Sequence, residues 1–137
     1  MTAKTLMNPN PMTLRPSDSV ATAADRILKH HLRHLPVVDE QGRYLGTFSI
    51  YSVLKLTLPQ AVLDKHGLDN VSFVTEHVSD LARRLGGRRE EPVQTWLNIH
   101  EVAHPETPAM EIMLLMLHGR TTSVPVVNKE SGKLEGI

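Results

Sequence analysis

Two proline-centred signatures recur in this chain at a fixed distance, and that repetition restricts its possible folds more than any other feature. The first runs Leu14-Arg15-Pro16-Ser17-Asp18-Ser19-Val20 and continues, twenty residues past its proline, into Leu35-Pro36-Val37-Val38. The second runs Ala103-His104-Pro105-Glu106-Thr107-Pro108-Ala109 and continues, again twenty residues on, into Val124-Pro125-Val126-Val127. Pro16 and Pro105 are 89 residues apart, as are Pro36 and Pro125; Gly46 and Gly136 then follow with one residue added in the second turn. Met7 has an apolar counterpart in Trp96 at the same offset. A period this long, present twice, describes one structural unit used in tandem, each copy burying its apolar face with the help of the other.

Each copy reads the same way. In the first, Val20, Ala23, Ala24, Ile27, Leu28 and His31 keep the i, i+3, i+4, i+7 spacing of an amphipathic helix, with Asp18 expected as its N-cap. In the second, Ala109, Ile112, Met113, Met116 and Leu117 repeat the stripe, with Thr107 expected to cap, Pro108 to take the first helical position and Gly119 to mark the exit. The β-branched runs Val37-Val38 and Val126-Val127 predict strands. Polar turns follow at Asp39 to Gly42 and Asn128 to Gly132, and further extended segments run from Arg43 to Phe48 and from Lys133 onward. After Gly46, Ser49 is expected to cap a second helix whose inner face is Ile50, Val53, Leu54 and Thr57. The fold class is therefore α+β, built from two β-α-β-β-α units at residues 1–58 and 93–137. The 59–92 segment between them is a connecting insertion with one helix, capped by Thr75, striped by Val78, Leu81, Ala82 and Leu85 and stopped by Gly86 and Gly87.

Composition enters mainly by exclusion. Lys plus Arg and Asp plus Glu each total 15, so no global field favours nucleic acid or an anionic membrane. Cysteine is absent, which excludes disulfides, thiolate zinc sites and a cysteine nucleophile and fits a reducing cytoplasm. The longest apolar run, Ile112 to Leu117, is too short to span a bilayer, and Pro9 and Pro11 interrupt any signal-peptide core. No nucleophile elbow or paired-carboxylate site is legible, and no enzyme activity is expected.

The unit resembles the CBS motif, named after cystathionine β-synthase, which occurs in pairs. The resemblance rests on Met7-Asn8-Pro9, Arg33 to Asp39 (RHLPVVD) and Gly42 to Gly46 (GRYLG) in the first copy. In the second it rests on Ser123-Val124-Pro125-Val126-Val127 and Gly132 to Ile137 (GKLEGI). It implies a pseudo-twofold pair of repeats, a regulatory ligand-sensing role and clefts that take AMP, ATP or S-adenosylmethionine as regulatory ligand, with no cofactor required. It also implies pairing of modules into a homodimer. The family's Gly-x-x-Thr/Ser-x-x-Asp motif falls on Gly46, Ser49 and Ser52. Ser49 and the helix start behind it are expected to meet a phosphate, while Ser52 stands where the family's aspartate grips the ribose. Loss of that charged acceptor weakens binding by about 1.5–3 kcal/mol per hydrogen bond. Flanking contacts are expected from Met12, Thr13, Leu14, His34, Leu35, Pro36, Val102, Ser123, Val124 and Pro125, with Arg120 adding phosphate affinity. The alternative is a ligand-free dimerisation or interaction scaffold, or a regulatory fragment of a larger enzyme or transporter. The second copy reaches Ile137 without its own Ser/Thr-x-x-Asp segment, so the natural protein is expected to continue.

Three further features have a plainer reading. His30 and His34 have an i, i+4 spacing that suits zinc only on one continuous helix, and the repeat places His34 on a strand instead. Arg83, Arg84, Arg88 and Arg89 complement a helix C-terminus and are half neutralised by Glu90 and Glu91. The helix carrying Met110, Met113 and Met116 is apolar nearly all round, as expected of one covered by a core on one side and a second copy on the other.

Overall fold

The structure, a computed structural model, describes residues 1–58 and 77–137. In chain order the elements are α1 (Ala3–Leu6), α2 (Val20–His30), β1 (His34–Val38), β2 (Tyr44–Ser49), α3 (Ile50–Thr57), α4 (Val78–Gly86), a 3₁₀ turn at Val93–Trp96, α5 (Ala109–Gly119), β3 (Val126–Val127) and β4 (Leu134–Gly136). The order bears out the α+β repeat.

Helix α2 is set by its cap and by one apolar face, whereas α5 has no side-chain cap among the described residues and carries apolar residues both toward the core and toward solvent. Val20, Ala23 and Ile27 are buried on α2. The N-cap is Ser19, whose hydroxyl accepts from Thr22 N at 3.1 Å, and not Asp18. The Asp18 carboxylate is occupied one turn earlier, where it accepts from Arg15 N at 2.8 Å. On α5 the expected capping also shifts: Thr107 Oγ1 accepts from His104 N at 2.9 Å. Pro108 therefore takes the N-cap position and Ala109 opens the helix. Both helices leave through a left-handed residue, His31 (φ 52°) and Arg120 (φ 49°), so Gly119 stays inside α5 and Arg120 makes the turn. Leu32 N to Ile27 O at 3.0 Å and Thr121 N to Met116 O at 3.0 Å close the two exits identically. A non-glycine residue in this region costs on the order of 1 kcal/mol, so the turn is held by its surroundings in both copies.

The strands form two antiparallel pairs, β1 with β2 and β3 with β4. Each has a bulge at the equivalent place, between Val37 and Val38 and between Val126 and Val127. Leu14 runs parallel to Val37 and Ala103 parallel to Val126 on one edge. The opposite edge is filled from the other half. Asn98 exchanges both backbone bonds with Thr47, at 2.8 and 2.9 Å, and Asn8 does the same with Ile137, at 2.8 and 3.1 Å. Thr2 bridges Pro108 as Ser19 bridges Pro92, and Arg43 bridges Lys133. Every such contact is matched by its 89- or 90-residue counterpart, the property of a pseudo-twofold axis.

The lead-in segments are consequently exchanged. Val93, Trp96 and Leu97 pack into the first core, with Leu14, Val20, Ala23, Ile27, Leu35, Val37, Phe48 and Leu56. Ala3 and Met7 pack into the second, with Ala103, Ile112, Leu115, Met116, Val124 and Val126. Gly46 and Gly136 mark where these exchanged segments come closest. A Cβ on Gly46 would lie 3.0 Å from Leu97 Cβ, and one on Gly136 would lie 2.7 Å from Asn8 O.

Two expectations about helices need correction. On α3 the buried residues are Ser52 and Leu56, while Ile50 and Leu54 face outward. Leu56 follows Ser52 by one turn, and Ser52 is drawn inward by hydrogen bonds that hydrophobic spacing does not register. On α4 the stripe is only partly covered, with Leu81 and Leu85 half-buried and Val78 and Ala82 exposed. His77 stands at its N-cap, and Thr75 lies outside the described residues. No described helix is long and apolar enough to cross a membrane.

Candidate functional site

A cavity of about 410 Å³ opens between the two left-handed helix exits. The first half contributes Leu32, Arg33 and His34 from the turn into β1, and Ile50 and Tyr51 from the start of α3; the second half contributes Arg120, Thr121 and Thr122. Its volume lies within the range of small-molecule sites. Arg33 and Arg120 are both exposed, and neither side chain has an ion-pair or hydrogen-bond partner among the described residues. Tyr51, Ile50 and Leu32 give the same cavity an aromatic and aliphatic wall. Two uncompensated guanidinium groups beside an apolar wall suit a ligand that is flat and apolar at one end and anionic at the other.

His34 stands where the two halves meet. Its ring lies edge-to-face against His100, with centroids 6.5 Å apart, and its Nε2 is 3.5 Å from Thr121 Oγ1. Partial burial, then the neighbouring His100 and Arg33, hold its pKa below the usual imidazole value. A smaller cavity of about 260 Å³ adjoins across Thr121 and is lined by His100, Glu101, His118 and Val124 among others.

The expected phosphate and ribose contacts lie elsewhere. Ser49 and Ser52 are fully buried. Ser49 Oγ accepts from Tyr51 N at 3.2 Å and from Asn98 Nδ2 at 2.9 Å. Ser52 Oγ donates to Trp96 O at 2.9 Å and accepts from Ser49 N at 3.1 Å and Asn98 Nδ2 at 3.0 Å. Ile50 N already donates to Arg33 O at 3.1 Å. The hydroxyls and the first helical N–H groups are thus engaged within the protein, and this helix start has little left to offer an anion. The network also ties α3 to the exchanged segment through Asn98, whose Oδ1 accepts from Lys55 Nζ at 2.9 Å.

Among the other expected contacts, only His34 and Arg120 line the larger cavity. Leu14, Leu35, Pro36, Val124 and Pro125 are buried within the halves, and Gly46 is packed under Leu97. Met12, Thr13 and Val102 lie away from it, Thr13 O accepting from Arg26 Nη1 at 3.0 Å. Ser123 and Val124 line a third cavity of about 200 Å³, between α1, α5 and β3. Sequence reasoning missed Leu32, Ile50, Tyr51, Thr121 and Thr122 as lining, and Arg33 as a partner for Arg120. The available signal was positional, since Leu32-Arg33 and Thr121-Thr122 follow the two equivalent helix exits.

Comparison with known proteins agrees with this architecture. A family model described as CBS domain matches residues 3–58 and 91–137. Among solved structures, CBSX2 in complex with AMP aligns over 98% of this chain and 87% of its own, with a TM-score of 0.71 and 23% identity. The CBS domain pair of protein MJ0100, solved with 5′-methylthioadenosine and S-adenosyl-L-methionine, aligns over 99% and 86%, with a TM-score of 0.66 and 20% identity. Hypoxic Response Protein I, solved with two coordinated zinc ions, aligns over 99% and 90%, with a TM-score of 0.68 and 15% identity. At these identities the likeness establishes the fold. No group of three His, Cys, Asp or Glu side chains suited to a metal ion occurs among the described residues. In sequence, 52 residues are 33% identical to L-aspartate semialdehyde sulfurtransferase of Methanocaldococcus jannaschii. That match spans 38% of this chain and only 10% of the relative.

Proposed function

The chain belongs to the CBS domain family, and we propose that it is a regulatory module binding an adenosine-containing nucleotide in the cavity between its two repeats. The observation that carries this reading is the convergence of Arg33 and Arg120, one from each repeat, on a single cavity of about 410 Å³ with an apolar wall. The base packs against Tyr51, Ile50 and Leu32 while the phosphate meets both guanidinium groups. The AMP bound by CBSX2 and the adenosine ligands bound by MJ0100 support the ligand class. A ligand held by residues 32–34 and 120–122 together stabilises one relative packing of the repeats. It shifts their equilibrium by its differential affinity for that packing, which is regulation without a chemical step. Ser49 and Ser52, as buried capping residues, serve the fold. A protein without cysteine suits the cytoplasm, where such nucleotides are abundant.

The second copy expected from the sequence has a candidate surface. Met110, Met113, Leu114 and Leu117 of α5 are all exposed, an apolar face that a homodimer would cover. If nucleotide sensing fails, this face supports the scaffold alternative.

Calorimetric titration with AMP, ATP and S-adenosylmethionine tests the reading, with light scattering on the same samples. Saturable binding is expected, lost by at least about tenfold in the Arg33→Ala/Arg120→Ala double variant, on a dimeric background. No response to any of the three at millimolar concentration would refute the nucleotide reading, and a monomer would refute the dimer.

A further inference from the structure

Among the described residues His34 is the one imidazole that lines the larger cavity, and its surroundings fix how it meets a ligand. Thr121 Oγ1 donates its proton to Ser123 O at 3.0 Å, so toward His34 it can only accept. A hydrogen bond between it and His34 Nε2, 3.5 Å away, is therefore one in which Nε2 donates, the tautomer that leaves Nδ1 as acceptor. Among the described residues, the charged and titratable groups near it are Arg33 on its own turn and His100 against its ring, with Arg120 from the end of α5 and Tyr51 from α3 lining the same cavity. Beyond His100, the adjoining cavity brings Glu101 and His118. The Arg33 guanidinium and a second imidazole thus act on a half-buried ring, Arg120 lines the same cavity, and the Nε2 of His100 is itself buried without a partner among the described residues.

Such a site opposes a proton on His34 while the cavity is empty and favours one once a phosphate offsets the arginines. Deepening the nucleotide reading, and resting on it, we propose that His34 makes the cavity selective for phosphorylated adenosine ligands by taking up a proton as they bind. The sign follows from the two states. With the cavity empty the ring is neutral around pH 7. With a phosphate between Arg33 and Arg120 its proton affinity rises, so binding strengthens as pH falls through the interval between the two titrations. A ligand with the same base and no phosphate leaves the balance of charge unchanged and gains nothing from acidification. One with a sulfonium cation adds to the repulsion.

The test is calorimetric titration of the 137-residue chain with AMP and with 5′-methylthioadenosine, between about pH 6 and 8. Buffers of different ionisation heat give the protons exchanged, and His34→Gln is measured alongside. The second phosphate ionisation of AMP, near pH 6, is common to both proteins, so their difference isolates His34. The wild type is expected to take up more protons with AMP than the variant does. Its affinity relative to the variant should rise on acidification by up to about tenfold per pH unit; 5′-methylthioadenosine should show no such difference. Because the substitution touches the junction of the repeats, the His34 ring is also titrated by NMR in the unmodified protein, where AMP should raise its midpoint. Equal proton uptake in the two proteins with an unmoved midpoint would overturn the proposal and leave nucleotide binding standing. The same linkage with 5′-methylthioadenosine would overturn it too, and failure of AMP to bind the wild type would remove both readings.

Discussion

In the first repeat α3 lies over the core, and its Leu56 is sealed among Leu14, Ile27, Val37 and Phe48. In the second repeat the equivalent floor of Ala103, Met116 and Val126 faces a cavity of about 200 Å³. The two backbones share their bulges, their helix exits and their exchanged lead-ins, so the repeated pattern builds the same frame twice. Within residues 1–137 the two floors differ in what packs over them, α3 on the first and α1 and α5 beside the cavity of the second. Position in a repeat therefore fixes where a residue points, while its energetic weight depends on what closes over it.

Equivalent substitutions in the two halves should expose that difference. Val37 and Val126 are the same residue at the same place, 89 residues apart. Val37→Ala should destabilise by about 2–3 kcal/mol, from two lost methyls at ~0.8 each plus the void they leave. In the 137-residue chain Val126 borders an existing cavity, so Val126→Ala adds little new void and the two lost methyls alone give about 1.6 kcal/mol. Urea unfolding of both variants measures the pair, and equal losses would mean that the second core is as tightly closed as the first. A smaller contrast concerns the exchanged asparagines. Asn98→Ala strips buried donors from Ser49 and Ser52 and should cost about 1–2 kcal/mol. Among the described residues the Asn8 side chain accepts only from Asn10 N nearby, at 3.0 Å, so Asn8→Ala should stay within about 0.5 kcal/mol. A comparable loss at Asn8 would show that the polar network matters less than the shared backbone pairing.

The smallest contrast is in pH dependence. His34 and Ser123 occupy equivalent positions, and only the first titrates. The folded protein holds the His34 pKa below its ordinary 6.5, so on acidification the unfolded chain takes up that proton first. Stability should therefore fall as pH drops from about 7 through the ordinary imidazole range, and level off once the folded state is protonated as well. His34→Ser, which copies the second repeat, should flatten that part of the pH–stability curve. An unchanged slope would assign it to other groups.

The repeat, its two helix–strand–strand units and the capping role of Ser49 were legible because they are local. Proline spacing, hydrophobic period and a side-chain oxygen before a helix act over a few residues. The inner face of α3 was misread for the complementary reason. Ser52 is buried by bonds to Trp96 and Asn98, more than forty positions away, and no period in the chain encodes them. The same limit applied to the candidate site. A motif put Ser49 and Ser52 among the expected contacts, whereas in the fold their hydroxyls bond within the protein and Arg33 and Arg120 line one cavity.

By itself the sequence determined that the chain folds as two equivalent α+β halves with no cysteine chemistry and no net charge to attract nucleic acid. Only the tertiary structure decided that each lead-in crosses to complete the other half, and that two arginines 87 residues apart face one cavity. The reason is that local preferences set the conformation of short segments, whereas the pseudo-twofold packing depends on which apolar surfaces can bury one another. That choice is made between residues that do not meet until the halves close.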